Sequence, residues 1–116
     1  MNSPDERPAA TGLDLRTRIR IDLFLARRRA GTGATTPRIL RLRERGRAAG
    51  LNTAEMMANE EGSSHEARAT ACLAFVATLL AQPGAPSPEA LRRMHDAGYG
   101  PDGIEAAIAR VRRKAH

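Results

Sequence analysis

One thiol, three imidazoles, a threonine-rich loop and a run of arginines are what this 116-residue chain could do chemistry with. Cys72 is the single cysteine, so one chain can form neither a disulfide nor a two-thiol redox pair. A peroxidatic thiol needs an exposed, electropositive setting. Cys72 instead falls mid-helix on an apolar face, where a free cysteine behaves as a small hydrophobe, and a buried structural thiol is expected. His65, His95 and His116 share no metal-ligand spacing and have no second cysteine beside them. They do not read as a zinc site, and neither metal nor cofactor is expected. Thr32 to Thr36, with glycines at 31 and 33, precede a helix start and could hold an anion through backbone N–H groups. The stretch lacks the Gly-Lys-Ser/Thr of a Walker loop, so a plain loop and cap is the expected reading.

Charge is the other resource. The net charge is +6, and Lys114 is the only lysine. Residues 13–47 carry eleven arginines against Asp14, Asp22 and Glu44, a net +8, whereas residues 48–66 carry four glutamates and no base. Such a split could serve nucleic acid, an acidic protein partner, or pairing between copies of the chain. Arg38, Arg41 and Arg45 form a candidate partner-binding face, weighed against a merely solvated one. No RNA-recognition, KH or zinc-finger pattern accompanies them, and aromatic residues for base stacking are few.

The elements that must position these residues read as helices throughout. With no Trp, one Tyr and two Phe, the core must be built from Ala, Leu, Ile, Val and Met. Leu15, Ile19, Leu23 and Ala26, widened by Phe24, predict a helix over 14–29. Thr36 and Pro37 cap and start a second, with Ile39, Leu40 and Leu42 apolar and Gly50 as its stop. Asn52 to Glu55 opens a short third helix with Met56 and Met57, residues that fill a core or an interface. Ser63 to Glu66 is a second capping-box pattern. It opens a helix over about 65–81 with a stripe of Ala71, Cys72, Phe75, Val76, Leu79 and Leu80. Ser87-Pro88 starts a helix over 88–97, and Ile104, Ala107, Ile108 and Val111 define the last. No segment alternates with period two. The expected fold is an all-α compact bundle of about five to six helices over 13–116, behind a disordered tail at 1–12. No apolar run approaches the ~18 residues that cross a bilayer, and the N-terminus lacks the apolar core of a secretory signal. A cytoplasmic location without membrane contact is expected.

Read in order, several segments resemble the carboxymuconolactone decarboxylase family, in its alkyl hydroperoxidase D-like branch. ACLAFVATLL (71–80) is similar to the branch's Ala-rich "aaLaFArkl", and PSPEALRRMHDAGYGPDGIEAAIA (86–109) to its "vsdedlaalraaGysdaeiaeviA". GRAAGLNTAEM (46–56) resembles "arkaGLsdeEi". The resemblance covers roughly residues 13–111 and implies that family's helical fold. It also implies a site: Cys-x-x-Cys-x-x-x-His, with a Glu about one helix earlier as part of a proton relay that raises the thiolate fraction. Aligned on the preceding helix, Thr32 and Thr35 take the cysteine positions. Aligned on Gly50-Leu51, Thr35 and Arg38 take them and Leu42 takes that of the His. Ile19 or Leu23 stands in place of the Glu. No alignment supplies a thiol, and threonine has no accessible redox couple. The resemblance therefore implies a degenerate member without peroxidase activity, a self-associating structural or regulatory helical protein. An Arg-rich module for nucleic acid or an acidic protein is the alternative. Non-thiol chemistry, as in the decarboxylase branch, is a second alternative, and the sequence offers no convincing acid/base pair for it.

Overall fold

A computed structural model describes residues 12–115 and is all-helical over them. Six helices follow one another: α1 (Leu15–Ala30), α2 (Pro37–Ala48), α3 (Thr53–Glu60), α4 (Ala67–Ala81), α5 (Pro88–Asp96) and α6 (Pro101–Ala115). This is the all-α bundle that the periodicity predicts. The tail expected at 1–12 lies outside the described residues except for Gly12, and so does His116. No helix among the described residues is long and apolar enough to cross a membrane.

Four starts follow directly from capping chemistry. Asp14, Thr36, Asn52 and Ser87 each accept, through the side chain, a hydrogen bond from the backbone N–H three residues on. Such a bond satisfies one of the donors that a helix start leaves unpaired. Pro37 and Pro88 occupy first helical positions, where a missing N–H costs nothing.

Helix α1 is the axis of the molecule, in contact with α2, α3, α4 and α6. Ile19, Leu23 and Ala26 face a core completed by Ile39, Leu42, Leu51 and Met56. Ile21 and Phe24 face a second core, formed with α4, α5 and α6 around Leu73, Val76, Met94 and Ala107. A helix with cores on two sides cannot show a single apolar stripe. The expected stripe on α1 is corrected accordingly: Leu15 is 46% exposed, and Ile21 is fully buried.

Of the two methionines expected in a core or an interface, Met56 is buried and Met57 is 59% exposed. Two further corrections concern α4. On α4, Ala71 and Leu80 are half-buried and Leu73 is buried in their stead. The capping box expected at 63–66 is not made: α4 starts at Ala67, and Glu66 at its cap position forms no side-chain cap bond. The Ser63 hydroxyl instead donates to the Ala58 carbonyl, and that of Ser64 to Glu55. Helix α2 passes so close to α3 that a Cβ on Gly46 would stand 2.4 Å from Met56 Sδ, so only glycine fits there unshifted.

Candidate functional site

The four positions singled out for a lost redox site do not meet. Thr32 and Thr35 are exposed in the α1–α2 loop, and Arg38 is exposed on the first turn of α2. Leu42 is buried in the core shared by α1, α2 and α3. Thr32 lines a hollow with Arg27, Arg43 and Glu60, whereas Arg38 lines a different groove. Ile19 and Leu23, standing where the relay Glu is expected, are sealed in the core. The loop is held by Arg27, whose guanidinium donates to the Gly31 and Ala34 carbonyls and to Glu60.

Cys72 lies far along the chain from this loop, on α4, with no exposed surface. Burial pushes its thiol up to about 11, against the smaller opposing effects of the neighbouring Tyr99 hydroxyl and the Arg68 charge. Arg68 lies 4.2 Å over the Tyr99 ring, and the Tyr99 hydroxyl donates to the Arg68 carbonyl at 3.2 Å. A thiol with so little thiolate at neutral pH is a poor nucleophile. His65 is exposed at the approach to α4 and His95 exposed late in α5. Among the described residues no group of three or more His, Cys, Asp or Glu side chains could hold a metal ion.

The structure reveals buried charge that the sequence does not announce. Arg20, on α1, donates to Glu55 of α3 at 2.9 Å, and both side chains are almost fully buried. Glu55 also accepts from Asn59 Nδ2 at 3.0 Å, from the His65 backbone N–H at 2.8 Å and from the Ser64 hydroxyl. Burial alone would raise its pKa, but these hydrogen bonds and the Arg20 charge hold it down to about 2. A buried carboxylate is tolerated only when its lone pairs are satisfied in this way. Glu60 accepts from Arg27 and from Arg43, which spans it with bonds of 2.8 and 3.0 Å. Its carboxyl is therefore held below the usual range despite burial. Asp22, the third buried acid, is clasped by Arg110 of α6 at 2.8 and 2.7 Å. Much of the charge split between 13–47 and 48–66 is thus neutralised inside the chain, by Arg20, Arg27 and Arg43 against Glu55 and Glu60.

The remaining cations lie outside this network, except that Lys114 reaches to 4.0 Å from Asp22. Arg38, Arg41 and Arg45 are exposed on α2, and among the described residues none has an ion pair. Arg38 also borders a groove of about 610 Å³ whose rim holds Arg28, Arg29, Arg113 and Lys114 and whose floor includes Leu25, Ala26 and Leu80. Leu80 then continues into an apolar seam of about 310 Å³ between α4 and α6, lined by Leu79, Ile108 and Val111. The arginines and lysine at the ends of α1 and α6 are visible in the sequence as cations suited to the negative end of the helix dipole. That they converge follows only from the packing of α6 against α1.

In comparisons with known proteins, no family model, no curated protein and no solved structure matches the chain.

Proposed function

We propose that this chain is a non-catalytic helical protein of the alkyl hydroperoxidase D-like kind that acts by associating with copies of itself. The observation that carries the association is the open apolar seam between α4 and α6, where Leu80 and Ile108 remain only half-buried. A chain of this size with three aromatic residues has little core, and a second copy laid on the seam would add buried apolar surface. The ordered run of segments similar to the family supports the assignment. The non-catalytic part is supported by two features: the lone thiol is sealed and protonated at neutral pH, and the loop positions expected to carry thiols hold threonine and arginine.

Size-exclusion chromatography with light scattering tests the first part. More than one chain per particle is expected, and Ile108→Glu should shift the particle to the monomer while leaving the helical circular dichroism intact. A monomer at about 100 μM, where even the weaker obligate contacts form, would overturn it. A peroxidase assay with a dihydrolipoyl or thioredoxin-type reductant tests the second. No turnover above blank is expected, and turnover abolished by Cys72→Ser would refute it.

A further inference from the structure

We infer that the groove between the ends of α1 and α6 and the start of α2 binds a run of phosphates. The inference does not depend on self-association. Five cations border the groove: Arg28, Arg29, Arg38, Arg113 and Lys114. They come from three separate parts of the chain. Asp22 is the one acid among the described residues that line it, and Arg110 already neutralises it through two short hydrogen bonds. Lys114 approaches Asp22 only to 4.0 Å. Arg28 rests over the Phe24 ring, and Arg29 donates to the Lys114 carbonyl at 3.4 Å, contacts that leave their charges uncompensated.

Helix ends do not account for this many charges. The last turns of α1 and α6 each present roughly half a negative charge, about one in total. Five cations exceed that several-fold. Gathered around a concave surface, they raise the local potential and the local anion concentration more than the same charges scattered on a convex face.

The chemistry of the lining selects the anion. The floor is aliphatic and no lining residue is aromatic, so a base has no stacking platform. Recognition therefore falls on oxyanions. Four of the five cations are arginines, whose planar forks pair with phosphate oxygens two at a time. Five cations are more than one phosphate requires, and carboxylates on an acidic peptide carry one charge each at wider spacing. Successive phosphates match the density of charge. Inorganic polyphosphate, the phosphate chain of a nucleotide and a nucleic-acid backbone share that chemistry.

The test uses the full chain in about 50 mM salt, where phosphate contacts are not yet screened away. Calorimetry with inorganic tripolyphosphate is run beside anisotropy with a labelled DNA duplex. Tripolyphosphate is expected to bind, roughly tenfold more weakly after Arg29→Gln and after Arg113→Gln, the loss typical of one charged hydrogen bond. Arg47→Gln and Arg92→Gln, exposed residues that do not line the groove, should leave binding unchanged. If the duplex binds too, is displaced by tripolyphosphate and weakens with the same two groove variants, the natural source is a nucleic-acid backbone. Binding of tripolyphosphate without the duplex identifies a free phosphate chain. The proposal fails if neither probe binds, if the Arg47 and Arg92 variants weaken binding as much as the groove variants, or if a polyglutamate peptide binds and tripolyphosphate does not displace it.

Discussion

At the scale of single residues, two buried groups define what can be measured. Cys72 combines full burial with a thiol pushed up to about 11. A thiol reagent at pH 8 should therefore leave the native protein unlabelled and titrate one thiol after denaturation; rapid labelling of the native state would contradict the burial. Glu55 is the opposite case, a carboxyl held down to about 2 from an ordinary 4.5. A depressed carboxyl stabilises the fold fully above its unfolded pKa and loses that contribution as pH falls through the folded one. Denaturant midpoints should thus stay level above about pH 5 and fall between pH 4.5 and about 2, and Glu55→Gln should flatten part of that fall. Glu55→Ala removes the buried partner of Arg20, leaving only the 3.6 Å pair with exposed Glu66, and should cost roughly 3–5 kcal/mol, read from urea unfolding.

At the scale of elements, caps decide where helices begin and tertiary contacts decide what the caps' neighbours do. Asn52 accepts from the Glu55 N–H at 2.8 Å, and Asn52→Ala should destabilise the protein by about 1 kcal/mol through loss of that bond. Glu55 stands at the capping-box position of the same helix, yet its side chain turns to Arg20. A buried arginine is a stronger claim on a carboxylate than an exposed backbone N–H, because leaving it unpaired costs several kcal/mol. The Ser63 hydroxyl of the expected box likewise donates to the Ala58 carbonyl and that of Ser64 to Glu55, and the start of α4 is left with Glu66 and no side-chain cap bond. A peptide of residues 63–81 cut from the protein has neither the Ala58 carbonyl that engages Ser63 nor the Glu55 that engages Ser64, so the capping box becomes available there.

At the scale of the whole molecule, α1 joins two cores, and the Asp22–Arg110 clasp fastens α6 across 88 residues of sequence. Removing Arg110 leaves buried Asp22, between α1 and α6, with only the Lys114 ammonium 4.0 Å away. Arg110→Ala should therefore cost roughly 3–5 kcal/mol, and hydrogen exchange in α6 should rise more than in α2 or α3. Equal loosening of all six helices would show that the clasp contributes only to global stability. The clasp also fixes the geometry of the basic groove, since it sets where Arg113 and Lys114 stand relative to Arg28 and Arg29.

The sequence by itself determined the helices. Their apolar spacing is local, as are the Asp14, Thr36, Asn52 and Ser87 caps and the placement of Cys72 on a buried face, so each can be read along the chain without knowing its neighbours in space. It also established that no pair of thiols exists within one chain to do redox chemistry. Tertiary structure decided everything that depends on distance across the sequence. Whether Leu15 or Ile21 is buried depends on α1 having cores on two sides. Whether Arg20, Arg27 and Arg43 are available to a partner depends on Glu55 and Glu60 reaching them. The positions Thr32, Thr35, Arg38 and Leu42, close in sequence, are dispersed between an exposed loop, a groove and the core, and five cations at the ends of separate segments are gathered instead. Charges carry no periodicity that marks a partner dozens of residues away, so only the packed chain could separate the neutralised arginines from those left facing solvent.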